Sequence, residues 1–223
     1  MDDVTQKKIK ISEAAAKKYL KNDRFTIQSL ADDLNMNPKQ VFELFPNRSS
    51  ILSFFYDSRL LIYKEQTKKI DDFGSFSLSE KLTTLFLTLL DEFDEHREFV
   101  LQTYSSKIAK NCTTTPFENS FKHELKQIFE YDSKRSASSG LVLGSAFYKI
   151  LFYHFHVLVE FWKNDGSTQR QNSMALVDKW TSFIEELFYT SIIDKGVDLS
   201  KFLFYQSPLS RCNIHLFKNE QNQ

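Results

Sequence analysis

Glycine and proline are scarce in this chain, 5 and 4 among 223 residues. Sandwiches and barrels need frequent tight turns, so a β architecture is disfavoured from the start. Cysteine is nearly absent, and Cys112 and Cys212 lie too far apart to suggest a metal pair or a disulfide framework. Net charge is lacking too, since 29 basic residues meet 29 acidic ones. No global field recommends the chain to nucleic acid or to an anionic membrane, and any DNA contact must come from a local patch. Even the first 52 residues hold nine Lys/Arg against seven Asp/Glu. The opening MDDVTQKKIK is too polar for a signal peptide. The most apolar stretch, 141–162, contains Lys149, His154, His156 and Glu160, which disfavours a membrane span. A cytoplasmic protein is expected. There is no glycine-rich phosphate loop, nucleophile elbow or H-E-x-x-H, so no catalytic residue, cofactor or metal site is assigned and no enzyme is expected.

Phenylalanine is abundant instead, with 22 residues. That excess implies a bulky core, a binding cavity, or both. Apolar residues recur at helical spacing throughout, which predicts an all-α fold. Ile11, Ala15 and Tyr19 line one face of a helix over 4–21. Ile27, Leu30, Ala31 and Leu34 mark a short amphipathic helix with Thr26 as its N-cap. Asn35 tolerates the left-handed conformation that ends it. Asn37 then caps a second short helix, with Pro38 in its first position and Gln40 where a capping box closes. Val41 and Phe45 are its buried side, and Pro46-Asn47 stops it before a longer helix over 48–70.

Further along, 73–79 reads as a loop, and helices are expected over 79–96, 98–111, 116–132, 137–163 and 168–195. Thr115 and Glu118 suggest a capping box around Pro116, and Gly196 a C-cap. Asp198 opens a short piece to Gln206, followed by an irregular tail over 207–223. The acidic run Asp91–Glu95 reads as a solvated helix end.

Two short helices joined by a tight turn, the second opening on polar residues, are the helix-turn-helix arrangement, although an ordinary helical hairpin shares the pattern. In the DNA-binding version the second helix enters the major groove. Its exposed residues here are Asn37, Lys39 and Gln40. Gln pairs bidentately with adenine, and Lys with guanine or phosphate. The ungapped run from Thr26 to Leu52 then resembles the TetR-family signature. It has an opening Thr, the Leu30-Ala31 pair, the turn at Asn35, the cap at Asn37, the aromatic Phe42 ahead of Phe45, and Arg48 before Leu52. Ile11, Ala15 and Tyr19 resemble the family's first helix. The chain departs from the pattern at Asn35, where the family has Gly, at Phe42, where it has Tyr, and at Arg48, where it has Lys.

The resemblance implies a helix-turn-helix DNA-binding domain over 1–47, a helical ligand-binding and dimerisation domain over 48–206, and the tail. It implies a ligand-responsive regulator, a repressor by expectation, bound as a homodimer to a palindromic operator in double-stranded DNA. Thr26, Asn37, Lys39, Gln40, Phe42 and Arg48 are then the DNA-facing residues. Phe42 cannot give a phosphate the hydroxyl of Tyr, and is either a core aromatic or a contact to sugar or thymine methyl.

The helix over 137–163 is apolar nearly all round, so it must be covered on several sides, by its own core and by a partner subunit. Gly140 and Gly144 would admit a close neighbour. The helix over 168–195 adds a stripe of Leu176, Trp180, Phe183, Ile184, Leu187 and Phe188. Tyr104, Phe147, His154, Phe155 and Trp162 are candidate lining residues for a small apolar or aromatic ligand, although an aromatic stripe is more often core than cavity. His154 and His156, two apart, point to different sides of one helix and make a poor metal pair. The alternative function is a TetR-fold protein that binds a small molecule or lipid without using DNA.

Overall fold

Asp2 opens the first helix by accepting a hydrogen bond from the Thr5 amide at 2.6 Å. Asp3 in its first turn and Lys18 and Lys21 in its last complement the helix dipole. This helix, α1 (Asp3–Lys21), buries Ile11, Ala15 and Ala16. The computed structural model describes residues 1–109, 114–130, 144–190 and 195. Among them are nine α-helices and no strand, which is the all-α fold expected. The remaining helices are α2 (Ile27–Asp33), α3 (Pro38–Leu44), α4 (Arg48–Thr67), α5 (Leu78–Glu95), α6 (Arg97–Tyr104), α7 (Pro116–Glu130), α8 (Ser145–Asn164) and α9 (Gln171–Tyr189).

Helix α4 ties the molecule together. It packs on α1 with one side and on α5 and α7 with others, and buries Phe55, Tyr56, Leu60 and Tyr63. Behind it the phenylalanines form one continuous cluster. Phe121 meets Phe155 at 4.8 Å between ring centroids, and Phe93 lies against Tyr104, Phe117, Phe155 and Trp162. Tilted and edge-on rings dominate, as the aromatic quadrupole favours. Helix α9 packs mainly on α5, where Thr181 bonds the hydroxyls of Thr83 and Ser79 at 2.6 and 3.2 Å.

Several boundaries differ from the sequence reading for identifiable reasons. The expected helix over 98–111 is α up to Tyr104 and then one π turn, Ser105–Ala109. The 168–195 helix begins as a 3-10 turn, Thr168–Arg170, because Gln169 and Arg170 take positive φ values of 50° and 56°. Both residue types are good helix formers. The break is held by Asp165, which accepts from the amides and hydroxyls of Ser167 and Ser173, and by Arg170, which donates to the Asp165 carbonyl and to Asp94. The 73–79 loop holds a 3-10 turn, Phe73–Ser75, and α5 starts at Leu78 on a Ser77–Glu80 capping box.

Thr115 does cap α7 through the Glu118 amide, whereas the Glu118 carboxylate turns to Lys122. Gly144 is the N-cap of α8, and nothing approaches within 4 Å of where its Cβ would stand, so it serves no close helix contact among the described residues. Cys112, Gly140, Leu141, Leu143, Gly196, the piece from Asp198 to Gln206 and the tail lie outside the described residues, as does Cys212.

The acidic run is not uniformly solvated. Asp91, Asp94 and Glu95 are exposed, but Glu92 is buried and accepts from Arg59 Nη1 at 3.0 Å. Arg59 is 1% exposed and also donates to Glu13 at 2.8 Å. One guanidinium thus joins α1, α4 and α5. Burial pushes the Glu92 carboxyl up, while the Arg59 charge pulls it down.

Candidate DNA-binding and ligand-binding surfaces

The helix-turn-helix is assembled from local hydrogen bonds that use up its small polar side chains. Thr26 and Ser29 form a reciprocal capping box, Ser29 amide to Thr26 Oγ1 at 3.1 Å and Thr26 amide to Ser29 Oγ at 3.3 Å. Asn35 adopts φ 51°, and the Met36 amide reaches back to the Ala31 carbonyl at 2.9 Å. That left-handed residue turns the chain by the route Gly would take elsewhere. Asn37 caps α3 by accepting from the Lys39 amide at 2.9 Å, so the box expected with Gln40 does not form. Gln40 is left exposed on the helix, as is Lys39. Leu30, Ala31, Val41 and Phe45 are buried and fix the angle between the two helices.

Phe42 is 54% exposed, so it is not a core aromatic. Lys39, three residues earlier, shares its side of α3, whereas Gln40 is exposed on another side. Arg48 is half-buried at the start of α4, with Nη1 on the Phe25 carbonyl at 3.3 Å and its guanidinium over the Phe25 ring. Thr26, Asn37, Lys39, Gln40, Phe42 and Arg48 therefore all lie on or beside the α2–α3–α4 segment. Thr26 and Asn37 act there as caps, and the free side-chain surface belongs to Lys39, Gln40 and Phe42.

The candidate lining residues separate into groups. Tyr104, Phe155 and Trp162 are buried and converge on Phe93, where their rings fill the space themselves. Burial pushes the Tyr104 phenol well up, and its Oη pairs with His156 Nδ1 at 2.6 Å. Burial also pushes His156 down, toward the neutral form. His156 was a residue that sequence reasoning set aside, and its phase, four after Phe152, was the available signal. Phe147 lies elsewhere, edge-on to Phe129 at 5.2 Å. His154 faces outward from that core and stacks on Trp180 at 4.4 Å. A single α-helical step rotates a side chain by about 100°, so His154 and Phe155 cannot share one wall. Beside Trp162 a cleft of about 270 Å³ opens between α5 and the start of α9, lined by Leu87, Leu90, Asp91, Met174 and Arg170.

Helices α8 and α9 leave an apolar face uncovered. Ile150, Tyr153, Val157 and Phe161 follow one another along α8 and are exposed, Tyr153 at 65%. Phe183 and Leu187 add exposed apolar side chains on α9, whereas the exposed Met174 stands on the side of that helix that lines the cleft. Among the described residues, no helix is long and apolar enough to cross a membrane.

A family model described as "Tetracyclin repressor-like, C-terminal domain" matches residues 81–203, more than half of the chain. The chain belongs to the TetR family. No curated protein matches it. The matched segment begins within α5 and takes in α6 to α9, so this TetR-family match covers the aromatic core and the exposed apolar face. Residues 1–80, with the helix-turn-helix, lie before it.

Proposed function

We propose that this TetR-family chain is a ligand-responsive DNA-binding regulator that acts as a homodimer, with residues 1–47 as the DNA-binding head and 48–206 as the body. The observation that carries the reading is the outer face of α3. Lys39 and Phe42, three residues apart, share one exposed side of the second helix of a helix-turn-helix, and Gln40 is exposed on another, while Thr26, Ser29 and Asn37 are used as caps. The Gln40 amide, which both donates and accepts, suits base edges, the Lys39 cation suits phosphates, and Phe42 suits a thymine methyl.

The uncovered face of α8 and α9 supports the dimer. Two such faces related by a two-fold axis bury each other's aromatic residues, and the same axis sets two heads against two half-sites of a palindrome. A small apolar or aromatic ligand in the body, held in the cleft beside Trp162, shifts DNA affinity by favouring one spacing of the heads. Repression follows where the operator overlaps a promoter.

The test is selection of binding duplexes from a randomised pool by the full-length protein at two salt concentrations. A palindrome enriched at low salt, with affinity falling steeply as salt rises, supports the reading. A folded dimer that enriches nothing would sink it and leave a ligand-binding protein that does not use DNA.

A further inference from the structure

The cleft beside Trp162 has two walls. Leu87, Leu90, Asp91 and Asp94 stand at i, i+3, i+4 and i+7 and form one stripe of α5. Across from them come Met174 of α9 and Arg170 of the turn that opens it.

The charges of this lining do not balance. Arg170 Nε donates to Asp94 at 2.8 Å and its Nη1 to the Asp165 carbonyl at 2.7 Å. Arg97 Nη1 adds a longer bond to Asp94 at 3.3 Å. Asp94 is therefore compensated, and the one cation of the lining is already committed. Asp91 is different. Among the described residues no cation or hydrogen-bond donor pairs with its carboxylate, and the charges that act on it, Asp94 and Glu95, are of its own sign. Asp91 reaches solvent, yet burial, and then those two charges, push its carboxyl up. A cation held in the cleft offsets the repulsion.

The rest of the lining sets what carries that cation. Leu87, Leu90 and Met174 present hydrocarbon beside the carboxylate, and Met174 is half exposed. A bare divalent ion takes six or more oxygen ligands and is poorly served by one free carboxylate among apolar side chains. A ligand carboxylate finds its cation already bonded to Asp94. At about 270 Å³ the cleft falls just below the range of about 300–1,000 Å³ usual for drug-sized ligands, so its occupant is small. We propose that the ligand of this cleft is a small organic amine, its ammonium paired with Asp91 and its apolar body laid against Leu87, Leu90 and Met174. The inference rests on the reading of the cleft as the ligand site and narrows the apolar or aromatic molecule to a cationic one.

The experiment titrates the full-length protein calorimetrically, near neutral pH, with two matched sets of probes. One is phenethylamine, phenethyl alcohol and hydrocinnamate; the other is butylamine, butanol and pentanoate. At least one amine is expected to bind about fivefold or more tighter than its alcohol and its acid, as an ion pair at a partly exposed site allows. The preference should shrink as salt rises and vanish in Asp91→Asn, while Asp71→Asn, an exposed charge outside the lining, keeps it. Asp91→Asn relieves a repulsion and is expected to melt no lower than wild type, so its loss of binding is not a loss of fold. An alcohol or acid that binds as tightly as its amine, or an amine preference intact in Asp91→Asn, overturns the inference. In that case, binding weakened by Met174→Trp, which narrows the cleft, keeps the cleft as a ligand site. Binding untouched by both substitutions, or no binding by any probe, overturns the inference and the cleft reading together.

Discussion

Replacing Arg59 with Met tests whether one buried guanidinium binds the first helix to the body. Arg59 is 1% exposed and donates to two carboxylates of unequal burial. The Glu92 side chain is 10% exposed and the Glu13 side chain 34%. Removing one member of a buried ion pair costs about 3–5 kcal/mol, because the remaining charge is stranded. Here most of that cost falls on Glu92. Glu13 can turn to water, so its share is about 1 kcal/mol or less. Met restores the aliphatic packing of the Arg stem against Phe55, over which the guanidinium now lies at 4.6 Å. The net expectation is a loss of about 3 kcal/mol for Arg59→Met, a lower melting temperature by about 10 °C in a domain of this size. Glu92→Gln should cost more than Glu13→Gln. The double variant Arg59→Met/Glu92→Leu should recover much of the loss, since an apolar replacement strands no charge. Urea unfolding followed by circular dichroism measures all four. Arg59→Met within about 1 kcal/mol of wild type, or a double variant less stable than either single one, would refute the reasoning.

Three further outcomes are expected. Gln40→Ala on α3 should weaken binding to the selected duplex by about 1–3 kcal/mol and relax preference at one base position, read by titrating single-substituted duplexes; equal weakening on every duplex would argue against base contact. Asn35→Val should destabilise by about 1–2 kcal/mol because a β-branched residue cannot hold the observed φ of 51°, while Asn35→Gly stays close to wild type in the same urea assay. His156 and His96 are both pushed down by burial, so the unfolded chain takes up more protons than the folded one as pH falls below about 6.5. Their contribution to stability is therefore full above that pH and lost below it. The melting temperature should fall between pH 7 and 5.5, with a shallower fall in His156→Gln; an unchanged slope in that variant would remove His156 from the account.

The sequence by itself determined the helix-turn-helix to within a residue or two, because every device there is local. Thr26 with Ser29, Asn35 in its left-handed turn, Asn37 ahead of Pro38, and Asn47 ahead of α4 act over three or four residues, the range that a one-dimensional pattern carries. It also marked the stretch 137–163 as apolar nearly all round, although not which residues face which neighbour. Only the tertiary structure decided that Tyr104, Phe155 and Trp162 converge on Phe93 while Phe147 and His154 go elsewhere. The same holds for Glu92, which sits in an acidic run yet turns inward to Arg59, and for Lys107, which meets Ser49 at a separation of 58 positions in the chain. Charge and aromatic character are properties of single residues, but their effect depends on what lies within a few ångströms. For partners far apart in sequence, that distance is set by how α1, α4, α5 and α8 pack, which no local spacing encodes.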